Sequence, residues 1–379
     1  MTTVSLDQLL RYSLGRQGLL ERHPAQRIPE YGPLHGTDHT TPYLSLLARI
    51  EDFDWAAFAT QMYDHQAYIR LRSMRTTIHL IPEAQARTVE CVYNVRETDN
   101  YAELESYGIP FEEAVEIRFF IMDLLNEHES VSTLTLKKLI DPDIVKTYQN
   151  SYGSTSTTIG PILRWLWSLG LLTSGTGVRD WRKKDNTFRL ADRPPADCDD
   201  DARAEADIDL CRWYFDLYAP AAFGDWAWWT GFGMERSRAA FDALSAELEP
   251  VKVTSIAEEL WMPTDQIEAL ANTKDAPPEM VRLLPYEDAL LKAYKATRYR
   301  FYDAEGLAED IAFTRGGEAV PTMWLDGRIV GIWEWARKAN EPVSIQPFNQ
   351  PTKVFRKRFK PEVDRVRSFI EASHVLWSS

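Results

Sequence analysis

The stretch from Ser154 to Leu190 limits the possible folds more than any other part of the chain, because its hydrophobic period changes once and its turns fall at defined places. Any of Ser154, Thr155, Ser156 and Thr157 can cap a helix by accepting an orphan backbone N–H. Ile159, Ile162, Leu163, Leu166 and Leu169 follow at i, i+3, i+4, i+7 and i+10, the spacing of one buried helix face. Pro161 sits in the first turn, where its missing N–H is tolerated. Gly170 suits the left-handed position after the last turn. Leu171-Leu172-Thr173 then begins an extended run. After the turn Gly175-Thr176-Gly177, a basic segment with Arg179, Trp181, Arg182, Lys183 and Lys184 leads into a second extended run, Thr187 to Leu190. Helix, strand, basic hairpin and strand is the closing order of a winged helix-turn-helix. The alternative is a plain αββ corner with a solvated, charged tip.

The rest of the chain varies this theme. Ser5 to Leu20 has a helical leucine spacing with Ser5 as cap and Asp7 in the first turn. Residues 21–33 form an irregular, proline-rich connection, and Phe53 to Tyr68 is a further amphipathic helix. Ile69 to Ile81 carries Arg70, Arg72 and Arg75 beside a strand-forming run, which resembles another basic wing. Residues 84–126 are helical with a break at Gly108-Ile109-Pro110; Phe111 to Leu125 and Thr133 to Ile140 supply the helices preceding the Ser154 stretch. An acidic run, Asp197 to Asp209 after Pro194-Pro195, marks a boundary. Beyond it come helices at 210–218, 221–230 and 234–248 and short strands at 251–253 and 260–262. Trp226, Trp228 and Trp229 are expected in a core rather than as a stacking platform. The last part changes character, with strands at 319–325, 328–335 and 342–345 around an Asp326-Gly327 hairpin turn and a closing helix at 362–376. The expected fold is α+β and mainly helical, with tandem winged helix-turn-helix modules and a C-terminal β-barrel. The segments are 1–100 with a polar loop, 101–196, 197–275 and 276–379.

At 379 residues several cores are expected. Cys91, Cys198 and Cys211 are far apart and form no CxxC, so no disulfide framework or zinc site is suggested, and a reducing, cytoplasmic setting fits. The N-terminus has no signal-peptide pattern and no apolar run suffices for a membrane span. The net charge of −14 argues against a nucleic-acid partner, since phosphate binding draws on Lys and Arg. Charge nevertheless acts over roughly 8 to 10 Å, and here it is segregated: the run at 197–209 is acidic, whereas Lys353, Arg356, Lys357, Arg358 and Lys360 cluster. A basic face on an acidic body remains open.

The octet Leu34-His35-Gly36-Thr37-Asp38-His39-Thr40-Thr41 is dense in groups that donate, accept or titrate, and it feeds a helix beginning at Pro42. Thr40 or Thr41 is the expected cap, and a helix N-terminus there favours an anion. An ordinary capped turn explains the same residues.

Taken together, LHGTDHTTPYLSLLAR, MRTTIHLIP, APAAFGDWAWWTG, LLPYEDALL and WLDGRIVGIW resemble, in order and separation, the winged-helix DNA glycosylases of the AlkZ and YcaQ group. The resemblance covers nearly the whole chain. It implies tandem winged helices, a β-barrel, a DNA-sized cleft, and excision of alkylated purines, including bulky and crosslinked adducts. It also implies a catalytic motif, Gln-x-Gln or Gln-x-Asp, just before the PYLSLLAR helix. That place is held by His35-Gly36-Thr37, so neither glutamine is present. A base already cationic from N7 or N3 alkylation leaves neutral and needs little acid catalysis. What remains is to stabilise positive charge on the sugar, which Asp38 can do, and to position water, which a neutral His35 can do, with Thr37 orienting the same water. His39 suits a phosphate contact or no role. The expected contacts to duplex DNA are Arg49, Arg72, Arg75, Arg179, Arg182, Lys183 and Lys184. The leading expectation, which rests mainly on this resemblance, is a monomeric, monofunctional glycosylase acting on damaged purines without metal or cofactor. A non-catalytic DNA-binding regulator or lesion-binding factor, and a winged-helix protein with only protein partners, are the alternatives.

Overall fold

The computed structural model describes residues 1–63, 65–93, 101–140, 145–149, 155–175, 180–183, 187–192, 194, 196–302, 311–336 and 342–372. In chain order it runs β1 (Thr2–Val4), α1 (Leu6–Arg16), β2 (Leu34–His35), α2 (Thr41–Arg49), α3 (Trp55–Tyr63), β3 (Tyr68–Arg72), β4 (Ile78–Pro82), α4 (Glu83–Tyr93), α5 (Tyr101–Ser106) and α6 (Phe111–Glu127). Next come β5 (Val131–Ser132), α7 (Thr133–Leu139), β6 (Thr147–Gln149), β7 (Thr155–Thr157), α8 (Ile159–Ser168), β8 (Leu172–Ser174) and β9 (Thr187–Leu190). They are followed by α9 (Asp200–Tyr218), β10 (Ala221–Ala222), α10 (Phe223–Thr230), α11 (Met234–Leu244), β11 (Leu248–Val253), β12 (Leu260–Pro263) and α12 (Ile267–Ala271). The last elements are β13 (Val281–Leu284), α13 (Ala289–Lys292), β14 (Thr322–Leu325), β15 (Arg328–Trp335), β16 (Val343–Pro347) and α14 (Lys353–Ala372). The mixture is α/β, and two compact units emerge: Met1–Trp55 with Asp207–Ser379, and Ala56–Ala206.

In the second unit, the apolar face of α8 expected from its spacing closes one core with positions on α6 and α7. Ile117, Ile121, Leu136, Ile159, Ile162 and Leu166 are fully buried together. Burying a side chain of this size contributes roughly 1.5 to 3 kcal/mol, so helices α6, α7 and α8 are held by that shared face rather than by propensity. Gly170 takes φ +70° after α8, as its position requires. The chain then enters β8 and β9, which pair antiparallel and with β5 give the order β5-β9-β8. The residues between, 176–179 and 184–186, lie outside the described ones. Thr155–Thr157 is strand β7, paired with β6, and Thr158 at the helix start makes no side-chain cap bond, while the fourth candidate cap, Ser154, lies outside the described residues. Two of the three residues of β7 are β-branched threonines, which favour extension. Cys91 is bonded to Cys198 across 107 residues, with Cα atoms 5.6 Å apart, a disulfide that the cysteine spacing did not suggest. Their separation gave no local motif from which to see it.

The first unit joins the two ends of the chain. β1 runs parallel to β11, Thr2 opposite Val251, in a sheet of order β1-β11-β12-β10. Helix α1 starts where expected, with Ser5 Oγ accepting from Gln8 N at 3.1 Å. Trp226 and Trp229 are buried around Tyr214, with ring centroids 5.6 and 5.2 Å away, so these indoles are core as expected. The acidic run expected as a boundary does contain the division between the two units, at Ala206/Asp207, and it forms the start of helix α9, where Asp200 and Asp201 sit in the first turn and the dipole favours them. The C-terminal sheet is antiparallel and open, in the order β13-β14-β15-β16 with a bulge at Met323/Trp324. Among the described residues this sheet does not close, so the expected β-barrel is not confirmed. The β14–β15 turn is as expected, with Asp326 at φ 52° and Gly327 at φ 80°. Among the described residues no helix is long and apolar enough to cross a membrane.

Candidate functional site

The polar octet arrives at α2 through β2, which leaves His35 buried at 7 % exposure. Thr37 is exposed, and Asp38 and His39 are half-buried. The cap of α2 comes from neither threonine: Asp38 Oδ1 accepts from Thr40 N (2.8 Å), Thr40 Oγ1 (2.6 Å) and Thr41 N (3.2 Å). Burial alone would raise the Asp38 pKa. The hydrogen bonds from Thr40 and Thr41, with His39 nearby, outweigh it and hold the carboxyl below its ordinary value. Asp38 is thus an ionised anchor of the helix start, with one oxygen given to the backbone.

Facing this loop within the same unit is Tyr286-Glu287-Asp288, the acidic centre of LLPYEDALL. Thr41 Oγ1 donates to Tyr286 O at 2.9 Å, and the Tyr286 ring meets the His35 ring edge-on at 5.7 Å between centroids. Asp288 is fully buried and takes Ser45 Oγ (2.8 Å) and both Arg49 terminal nitrogens (2.8 and 2.7 Å) from α2, and it caps α13 through Leu290 N (3.0 Å). This carboxylate therefore locks the helix carrying the octet onto the segment carrying Glu287. Arg49 is 1 % exposed and committed to that bidentate pair, which corrects its expected role at DNA: a guanidinium so enclosed cannot meet a phosphate without breaking the brace.

Glu287 is the residue sequence reasoning missed. It is 5 % exposed and sits at φ 52°, a left-handed conformation that non-glycine residues keep only when surroundings impose it. Here they do: its N–H donates to Ala319 O at 2.9 Å, and its Oε1 accepts from Ala319 N at 2.5 Å. Oε2 lies 3.1 Å from Lys292 Nζ and 4.0 Å from His35 Nδ1. Lys292 also donates to Gly317 O at 3.2 Å and lies over the Trp228 ring. Desolvation raises the Glu287 pKa despite Lys292 and the Ala319 amide, with Glu318 adding to the rise, and burial likewise raises that of Tyr286. A buried carboxylate, an imidazole, a phenol and an ammonium group thus converge beside the octet. The available signal was two adjacent acids inside an otherwise apolar run, Leu283 to Leu291, since acids in such a run are buried only when partnered.

The expected basic contacts lie in the other unit. Arg72 ends β3 and is half-buried, whereas Arg75 is exposed at the tip of the β3–β4 hairpin, where it and Thr76 take φ 55° and 60°. Lys183 is exposed, but Arg182 is 5 % exposed and folded back on Asp180 with Nε–Oδ1 at 2.8 Å, which makes it a brace for the loop rather than a free cation. Arg179 and Lys184 lie outside the described residues. Among the described residues no three His, Cys, Asp or Glu side chains gather as a metal site would need.

The model of the AlkZ-like family, described as DNA glycosylase AlkZ-like, matches residues 28–369. In structure, the chain is similar to the Streptomyces sahachiroi DNA glycosylase AlkZ, with a TM-score of 0.71 at 18 % identity, covering 97 % of this chain and 98 % of that one. A search of curated protein sequences gives no match. With nine-tenths of its length inside one family model, the chain belongs to the AlkZ-like DNA glycosylase family.

Proposed function

We propose that this DNA glycosylase acts as a monomer on duplex DNA, excises purines alkylated at N7 or N3, bulky adducts among them, and uses His35 in place of the family glutamine. The observation that carries the reading is the enclosed His35 imidazole with the Glu287 carboxylate 4.0 Å from Nδ1. That distance is too long for a hydrogen bond, yet the negative charge favours the tautomer with its proton on Nδ1. The lone pair on Nε2 then accepts from a water molecule.

Cleavage of the bond from C1′ to the base sends its electron pair into the cationic purine, which departs neutral. The water oxygen attacks C1′, and its proton passes to His35 and on to solvent. Asp38, kept ionised by Thr40 and Thr41, stabilises the positive charge on the sugar. Glu287 acts through His35 as a positioning residue, itself fixed by Ala319 and Lys292. Arg72, Arg75 and Lys183 contact phosphates, and the β3–β4 and β8–β9 hairpins serve as wings. Single-turnover excision on N7-methylated duplex tests this reading. Glu287→Gln should lower the rate by roughly tenfold and shift the acidic limb of its pH profile, while His35→Ala should lose roughly 10² or more. A Glu287→Gln profile superimposable on wild type removes Glu287 from the site.

A further inference from the structure

Helix α14 starts nine residues before the closing helix expected from sequence, so that the basic cluster lies on its first turns. Its inner face buries Phe359, Glu362, Val366 and Ile370. Phe355 stacks on Phe359, with centroids 4.5 Å apart, and Arg358 makes a bidentate pair with Asp326 at 2.6 Å for each bond. Lys353, Arg356, Lys357 and Lys360 remain, all exposed and spaced i, i+3, i+4 and i+7, which puts them on one face. Asp364 pairs with Lys360 from the next turn, and Arg367 with Asp364, so the stripe turns from purely basic to mixed as the helix proceeds.

This arrangement works against the helix. Like charges at i,i+3 and i,i+4 repel one another and weaken a helix. Cations also oppose the dipole at a helix start, and no acid stands in the first turn. In a chain with a net charge of −14, four cations on about 10 Å of helix form a local reversal of sign. We infer that the face of Lys353, Arg356, Lys357 and Lys360 is a docking surface for the phosphate backbone of duplex DNA.

Charge complementarity selects the backbone: one strand carries a phosphate for roughly every 3.4 Å of duplex axis, so a stripe of about 10 Å laid along the axis meets about three of them. Base stacking, which single strands require, is not offered, because the Phe355 ring is stacked on Phe359. The inference rests on DNA being the substrate, and it concerns binding, not chemistry.

The test measures affinity of the full chain for an undamaged duplex across a salt series. The triple variant Lys353→Gln, Arg356→Gln, Lys357→Gln should flatten the slope of log K against log salt by about 2.7, close to 0.9 for each charge. The charge-keeping variant Lys353→Arg, Lys357→Arg should keep the wild-type slope. Both should melt at or above the wild-type temperature, since repulsion is relieved or unchanged. An unchanged slope in the triple variant overturns the inference. So does loss of binding to anionic phospholipid vesicles with DNA affinity intact, which would assign the face to a membrane surface. Wild-type protein that binds duplex but releases no base overturns the catalytic reading alone. Wild-type protein without measurable duplex binding overturns both.

Discussion

Replacing Asp288 by alanine should damage the frame of the site more than any change within the octet. The carboxylate is 0 % exposed and holds four hydrogen bonds, two of them from Arg49, which is itself 1 % exposed. Removing it leaves a guanidinium enclosed without its counter-charge, a change that costs roughly 3 to 5 kcal/mol. For a unit of this size each kcal/mol moves the melting temperature by about 2 to 4 °C, so a fall of roughly 6 to 20 °C is expected. Thermal melts followed by circular dichroism would read it as an early loss of the Met1–Trp55/Asp207–Ser379 unit. The double variant Arg49→Met, Asp288→Leu should recover most of the loss, because a buried pair replaced together by apolar groups of similar volume is often neutral. The resulting non-additivity measures the coupling. A melting shift below about 2 °C for Asp288→Ala, or additive effects in the double variant, would refute the brace and return Arg49 to the list of DNA contacts.

Asp38→Asn should lower both stability and excision. Its carboxyl lies below the ordinary value in the folded chain, so its stabilising contribution is present above the unfolded pKa of about 3.9 and is lost as pH falls through the folded value. A variant whose melting temperature loses the wild-type dependence on pH below about 4 supports this, and one that keeps it contradicts it. Reducing Cys91–Cys198 should destabilise the Ala56–Ala206 unit by roughly 2 to 5 kcal/mol. Urea titration with and without dithiothreitol checks it, and coincident curves would show the bond to be idle.

Sequence periodicity located α1, α2, α6, α7, α8 and the β14–β15 hairpin because each carries its own signal: an apolar face at 3.6 spacing, a cap, or an Asp-Gly turn. It missed β1, because a three-residue strand paired with β11 is stabilised only by a partner about 250 positions away. It missed Cys91–Cys198 for the same reason. In the site, the octet stood out through its density of polar groups, but the roles within it did not: the choice between Asp38 and the threonines as cap depends on side-chain direction. Glu287 was hidden because its burial, its backbone conformation and its contacts with Ala319 and Lys292 are all long-range. Arg49 was misjudged because a basic residue ending a helix looks solvent-exposed until its partner Asp288 is placed.

The central claim, that His35 serves where the family has glutamine, is tested most directly by release of free 7-methylguanine from a methylated duplex under single-turnover conditions. Wild-type protein should release the base. His35→Ala should bind the same duplex with nearly unchanged affinity and release base at least roughly 10² more slowly. A wild-type protein that binds the methylated duplex and leaves its bases in place, or a His35→Ala variant that excises at the wild-type rate, would contradict the account.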